Sequence, residues 1–150
     1  MSNHFFDRIR QAAPPAKTVF LTTETGVSLT YGGLMTRSAQ FANVLTALGV
    51  EKGDRVAVQT QKAVDCLMLY LACLRAGAVY LPLNTAYTAA EINYFAGDAE
   101  PRLFVCDPAG RNNLAAALAE MIDLRIETLD AEGGGSLQHQ ADAADKDFAD

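Results

Sequence analysis

Leu67–Tyr87, LMLYLACLRAGAVYLPLNTAY, decides the fold of this chain. It opens as an apolar helix, stops at Gly77, continues as a short apolar strand and leaves through a polar stretch. A helix feeding an apolar strand is one arm of a βαβ unit. Strands buried on both faces, as in a parallel sheet, lose the polar alternation of a half-exposed strand.

The same alternation extends to both sides. Downstream, Thr88-Ala-Ala-Glu91 predicts a capping box that opens a helix to Ala96, closed by Gly97. Arg102–Cys106 (RLFVC) predicts a strand. Asp107-Pro108 predicts an N-cap and a first-turn proline for a helix to Met121, and Leu124–Leu129 predicts the last strand. Gly133-Gly-Gly-Ser136 reads as a flexible linker, and Ala141–Asp150 as a surface helix or frayed tail. Upstream, Arg55–Thr60 (RVAVQT) predicts a strand and Ala63–Ala76 a buried helix apolar on nearly all sides. Gly32–Leu48 predicts a helix capped by Gly49. Lys17–Thr23 and Val27–Tyr31 predict a β-hairpin turning at Gly26, after a short amphipathic helix His4–Ala13 that stops at Pro14-Pro15. The expected fold class is α/β: a mostly parallel sheet with helices on both faces, preceded by a β-hairpin.

Composition narrows the partners. The 150 residues are half hydrophobic and one fifth charged, enough for one domain with a real core. A net charge of −6 with only 12 scattered Lys and Arg argues against nucleic acid, whose phosphates need clustered cations. No basic segment precedes an apolar run near the N-terminus. The apolar run 63–74 is interrupted by Asp65 and falls short of the ~20 residues of a membrane span. Neither a membrane partner nor export is expected, which points to the cytoplasm. Cys66, Cys73 and Cys106 have no CxxC spacing and read as reduced core thiols.

In a parallel sheet, ligands gather beyond the carboxyl ends of the strands. Those ends are Thr60-Gln61-Lys62, Asn84-Thr85-Ala86-Tyr87 and Asp107-Pro108. Asn84, Thr85 and Tyr87 offer hydrogen-bonding groups and an aromatic face, although loop completion and helix capping also account for them. Lys62 reads as a solvated lysine, and Asp107 as a helix cap rather than a catalytic acid. No GxGxxG or GxxxxGK[ST] loop follows a strand, and no metal-ligand spacing occurs, so no metal site is expected.

Two segments carry a family resemblance. Leu29–Leu34 (LTYGGL) resembles the first core motif of the AMP-forming acyl-CoA synthetases, an LTYxEL-type segment, with Gly33 where an acidic residue is usual. Leu74–Asn84 (LRAGAVYLPLN) resembles the second, and Gly53-Asp-Arg-Val56 fits between them. Tyr31, Gly77 and Pro82 are the structural residues of these motifs. Within the superfamily, residues 59–108 most resemble bacterial malonyl-CoA synthetases.

The resemblance implies an enzyme that activates malonate or methylmalonate with ATP and Mg²⁺ and passes the acyl group to CoA. The family's phosphate loop, adenine pocket, carboxylate-binding arginine and mobile lysine have no matching position before Asp150. No catalytic residue is therefore assigned. The chain is expected to be the N-terminal part, residues 1–150, of the large adenylation domain. Alone it is expected to be inactive, to bind none of ATP, Mg²⁺ or CoA, and to self-associate. Asn84, Thr85 and Tyr87 would then stand at the acyl or pantetheine rim. The alternatives are another acyl or aryl acid on the same scaffold, or a free-standing flavodoxin-like binding module.

Overall fold

The computed structural model describes residues 3–150. Helix α1 (His4–Ala12) is capped by the Asn3 side chain, which accepts from the Phe5 and Phe6 N–H groups. Strands β1 (Val19–Thr22) and β2 (Ser28–Thr30) form the antiparallel hairpin. Its turn uses Gly26 at φ +86°, a conformation that glycine adopts without a Cβ clash. Thr30 caps α2 (Tyr31–Ala47) by accepting the Gly33 N–H at 3.1 Å. An LTYxEL segment is a Thr-x-x-Glu capping box. With Gly33 at the third helical position only half of that box forms.

Four strands follow: β3 (Arg55–Gln59), β4 (Val79–Pro82), β5 (Leu103–Cys106) and β6 (Arg125–Thr128). They lie in the order β4-β3-β5-β6, with every pairing parallel. Helix α3 (Val64–Ala76) joins β3 to β4, and α4 (Ala89–Ala99) joins β4 to β5. A single 3₁₀ turn (Pro108–Gly110) and α5 (Arg111–Ala117) join β5 to β6, and α6 (Ser136–Ala143) ends the series. Side chains alternate across the sheet. Val56, Val58, Leu103 and Val105 meet α1, α2, α3 and α6 on one face. Ala57, Phe104 and Cys106 meet α4 and α5 on the other. The α/β sheet with two helical faces and a preceding hairpin is the expected architecture.

Pro82 ends the edge strand β4. The Val79 N–H bonds to the carbonyl of Asp54, just before β3, and the Leu83 N–H to that of Val58 in β3, so by alternation position 82 faces away from β3, where a missing N–H costs no ladder bond. Gly77 closes α3 at φ +73°. Its close neighbour is the turn before β3: Gly77 O accepts the Gly53 N–H at 2.9 Å, and a Cβ on Gly77 would lie 3.0 Å from Lys52 Cγ.

Several expectations are corrected. Helix α4 does not close at Gly97. It runs on to Ala99, where Pro101 cannot continue it and Glu100 takes the left-handed position at φ +45°. The helix after β5 ends at Ala117 rather than Met121, because Leu118 turns inward and successive turns carry the chain to β6. Helix α3 is not buried all round, since Leu67 stays exposed beside α1. Residues 133–136 are no flexible linker. A Cβ on Gly135 would lie 2.3 Å from Thr128 O and 2.7 Å from Leu129 Cα. Ser136 Oγ accepts the Thr128 N–H at 2.9 Å and also bonds to Glu127. The buried Gln138 side chain accepts from the Asp130 and Gly135 N–H groups and donates to Asp65 and the Asp130 carbonyl. Beyond α6, the last residues pack on the core through Phe148 rather than fraying.

Candidate functional site

The chain leaves β3 towards β4 on one side, then crosses back so that β5 pairs on the other side. The carboxyl ends of β3 and β5 therefore flank the point where the sheet's winding reverses, the place where open parallel sheets bind ligands. A cleft of about 460 Å³ lies there, on the α4/α5 side. Gln59 reaches it from the end of β3 and Gln61 from the loop that follows, Thr85 and Tyr87 from the loop after β4, and Asp107 and Asn113 from the segment after β5. Ile92 of α4 and Leu114 of α5 give it an apolar floor.

Backbone needs set the geometry of the rim. Asp107 is not the helix cap that its position before Pro108 predicts. Its carboxylate turns across the strand ends and accepts the Gln61 N–H at 3.2 Å on each oxygen. A carboxylate next to a free strand-end N–H makes a charge-assisted bond, and that partner wins over the short 3₁₀ turn. Gln59 Nε2 donates to Asn84 O at 2.8 Å, drawing the loop after β4 towards β3. Asn84 Oδ1 accepts the Ala86 N–H at 2.9 Å, an Asx turn that aims the following residues at the cleft. The Tyr87 ring packs against Phe95 with centroids 4.9 Å apart.

The Thr88–Glu91 capping box forms as expected and fixes the start of α4. Hydrogen bonds from the Thr88 backbone and side chain hold Glu91 below its ordinary carboxyl range. At the cleft, burial first and the Asp107 charge second push the Cys106 thiol up to about 11. A thiol so disposed is protonated at neutral pH and serves as wall rather than nucleophile. Burial alone pushes Cys73, in the core, up to about 12. Cys66 departs from the expectation of three buried thiols. It is half-buried, donating to Gln61 O at 3.3 Å, with Thr60 Oγ1 3.1 Å from its sulfur.

Of the rim residues expected from the sequence, Thr85 and Tyr87 line the cleft, whereas Asn84 shapes the turn behind them. Lys62 is not in the lining. Tyr31 stands far from this region, edge-on to Phe20 at 5.3 Å, where it joins hairpin to helix. Sequence reasoning did not single out Gln59 or Asn113. Gln59 was legible as an uncharged polar residue that follows the apolar run Val56–Val58 at the end of β3. Asn113 has no sequence signal, because it reaches the cleft only through the packing of α5. Among the described residues, Asp107 is the one formally charged side chain in the lining, and no three His, Cys, Asp or Glu side chains cluster to hold a metal. No helix among them is long and apolar enough to cross a membrane.

Comparison with known proteins follows the same outline. MatB from Rhodopseudomonas palustris, in apo and ATP-bound crystal structures, superposes with a TM-score of 0.93 at 45% identity, covering 99% of this chain. A benzoate CoA ligase from Burkholderia xenovorans superposes at 0.78 with 26% identity over 94% of this chain. The long-chain-fatty-acid–CoA ligase FadD13 of Mycobacterium tuberculosis is 32% identical over 98 residues, 65% of this chain. The chain spans only 20% of FadD13, 28% of the benzoate ligase and 30% of apo MatB. The model of the AMP-binding enzyme family matches residues 7–149, so this chain belongs to the AMP-binding enzymes.

Proposed function

We propose that this chain is the N-terminal segment of the large domain of an AMP-forming acid–CoA ligase, with malonate or methylmalonate as the acid. Membership of the AMP-binding family over residues 7–149 is the observation that carries the ligase reading. The malonate reading rests on the resemblance of residues 59–108 to bacterial malonyl-CoA synthetases. In such a ligase a malonate carboxylate oxygen attacks the α-phosphorus of ATP and pyrophosphate leaves. The CoA sulfur then attacks the acyl carbon, and AMP leaves with the bonding electron pair.

Within that cycle, the cleft suits the uncharged, amide-bearing arm of CoA. Its lining of Gln59, Gln61, Thr85 and Asn113 can exchange hydrogen bonds with amides, and Ile92 and Leu114 can cover methylenes. A dicarboxylate or triphosphate there would face Asp107 without any cation in the lining. The chain's own contribution is thus to bind and orient, through a rim stiffened by the Asp107–Gln61 and Gln59–Asn84 bonds. Mg²⁺, which would neutralise phosphate charge, finds no ligand cluster among the described residues and is assigned to none of them.

The test uses the ligase carrying the residues that follow Asp150, assayed by pyrophosphate release. Malonate or methylmalonate should support turnover. Activity on acetate or long-chain acids alone would remove the malonate reading. Thr85→Ala and Asn113→Ala should raise the KM for CoA several-fold and leave that for malonate unchanged, each neutral hydrogen bond being worth about 0.5–1.5 kcal/mol. A raised malonate KM instead would place the acid, not CoA, in this cleft.

A further inference from the structure

Far from the cleft, on the α1/α2/α3 side, one guanidinium donates hydrogen bonds from all three of its nitrogens. Arg75, near the end of α3, has a side chain 8% exposed. Its Nε donates to Asp150 Oδ1 at 2.6 Å. Its Nη1 donates to Met35 O and Ser38 Oγ of α2 at 2.9 and 3.0 Å, and its Nη2 donates to Phe148 O at 3.3 Å. Its flat face lies over the ring of Phe6 in α1, 4.7 Å from the centroid, with Phe148 at 5.7 Å. The second Asp150 oxygen accepts from Arg10 of α1 at 2.9 Å.

We propose that residues 144–150 are a strap that clasps α1 to the domain, so that strap and helix dock and release together. Three observations meet in this assignment. First, α1 has a thin anchor of its own: Phe6 is its single fully buried side chain. Second, two of the groups that α1 uses, the Phe6 ring and the Arg10 guanidinium, are shared with the strap through Arg75 and Asp150. Third, the strap is tied to α2 independently of α1, because Asn43 Nδ2 donates to Asp145 O and Asp147 O at 3.0 and 2.8 Å. A charge-assisted hub that serves two segments couples them, since each segment loses partners when the other leaves. Under α1 lies an apolar groove lined by Ile9, Phe20, Leu34, Leu67, Tyr70 and Leu71. Release of the clasp would remove the wall that α1 gives that groove and expose more of its apolar lining.

Hydrogen–deuterium exchange of the intact chain, read by peptide mass, tests the coupling. Asn43→Ala touches nothing on α1. It should nevertheless raise exchange in α1 as well as in residues 144–150, by a few-fold to about tenfold, while β3 and β5 stay protected. Asp150→Asn should do the same more strongly, and Arg10→Gln should loosen the strap in return. Faster exchange in 144–150 alone after Asn43→Ala, with α1 unmoved, would overturn the proposal. So would Arg10→Gln that leaves the strap at its wild-type rate.

Discussion

The Asp107 carboxylate takes the Gln61 backbone N–H on both oxygens at 3.2 Å, which ties the exit of β5 to the exit of β3 across the reversal point of the sheet. On this side of the cleft the rim is thus held by an acid–amide contact between two residues that are 46 apart in sequence.

Asp107→Ala should therefore act locally. The exit of β3 loses its acceptor, and the loss of stability should be about 1 kcal/mol, as for an exposed helix cap. Amide exchange should rise at Gln61 and leave the strands protected. Exchange at Gln61 that matches wild type would show that water replaces the carboxylate without cost.

Gly135→Ala should be severe for a reason unrelated to backbone angles, because Gly135 has an ordinary φ of −74°. The added methyl would meet Thr128 O and Leu129 Cα, and backbone cannot step aside as a side-chain tip can. A loss of about 1–3 kcal/mol or more is expected in denaturant titration. Helix α6 would be displaced with it. An unchanged midpoint would mean that the turn relaxes freely.

At Gly77 the cost is conformational. Gly77→Val places a β-branched residue at φ +73° and should lower stability by about 1–2 kcal/mol, on the order of 2–8 °C in melting temperature. The Lys52 contact adds little, since a flexible side chain can move away. Thermal unfolding decides the matter, and equal melting temperatures would refute a left-handed Gly77.

The thiols should separate by burial. Under native conditions Cys66 should alkylate first, with Cys73 and Cys106 protected until unfolding. Linkage gives the pH sign. The Cys73 thiol rises from an ordinary 9.0 to about 12 in the folded chain, so from about pH 9 the unfolded state releases its proton while the folded state keeps it. Stability from this group is complete below about pH 9 and is lost between about pH 9 and 12. Cys106, raised to about 11, acts in the same direction. Cys73→Ala should flatten that alkaline decline. If the wild type and the variant lose stability in parallel above pH 9, the linkage is wrong.

Much of the fold was legible because it rests on local signals. The glycine stop at Gly77, the Thr88–Glu91 box, the apolar strands and the hairpin turn at Gly26 are each specified by a few neighbouring residues. Order along the chain then implied parallel crossovers, and the sheet followed. The errors have one form. Gly97, Asp107 and residues 133–136 carry familiar local signals that a residue outside the signal overrode: Pro101, four residues on, for the end of α4, Gln61, 46 residues away, for the acid, and the preceding Thr128–Leu129 backbone for the glycines.

By itself the sequence determined the class of fold, the order of its elements, and which chain segments stand at the carboxyl ends of the strands. The tertiary structure alone decided which side chains face one another there. Asn113 enters the cleft because of how α5 packs, Asn84 turns away into its own loop, and Arg75 gathers α1, α2 and the last residues into one clasp. The physical reason is range. Caps, turns and periodicity are settled within a few residues of the chain, whereas a buried charge or a strand-end N–H takes whichever partner the folded backbone brings within hydrogen-bond reach.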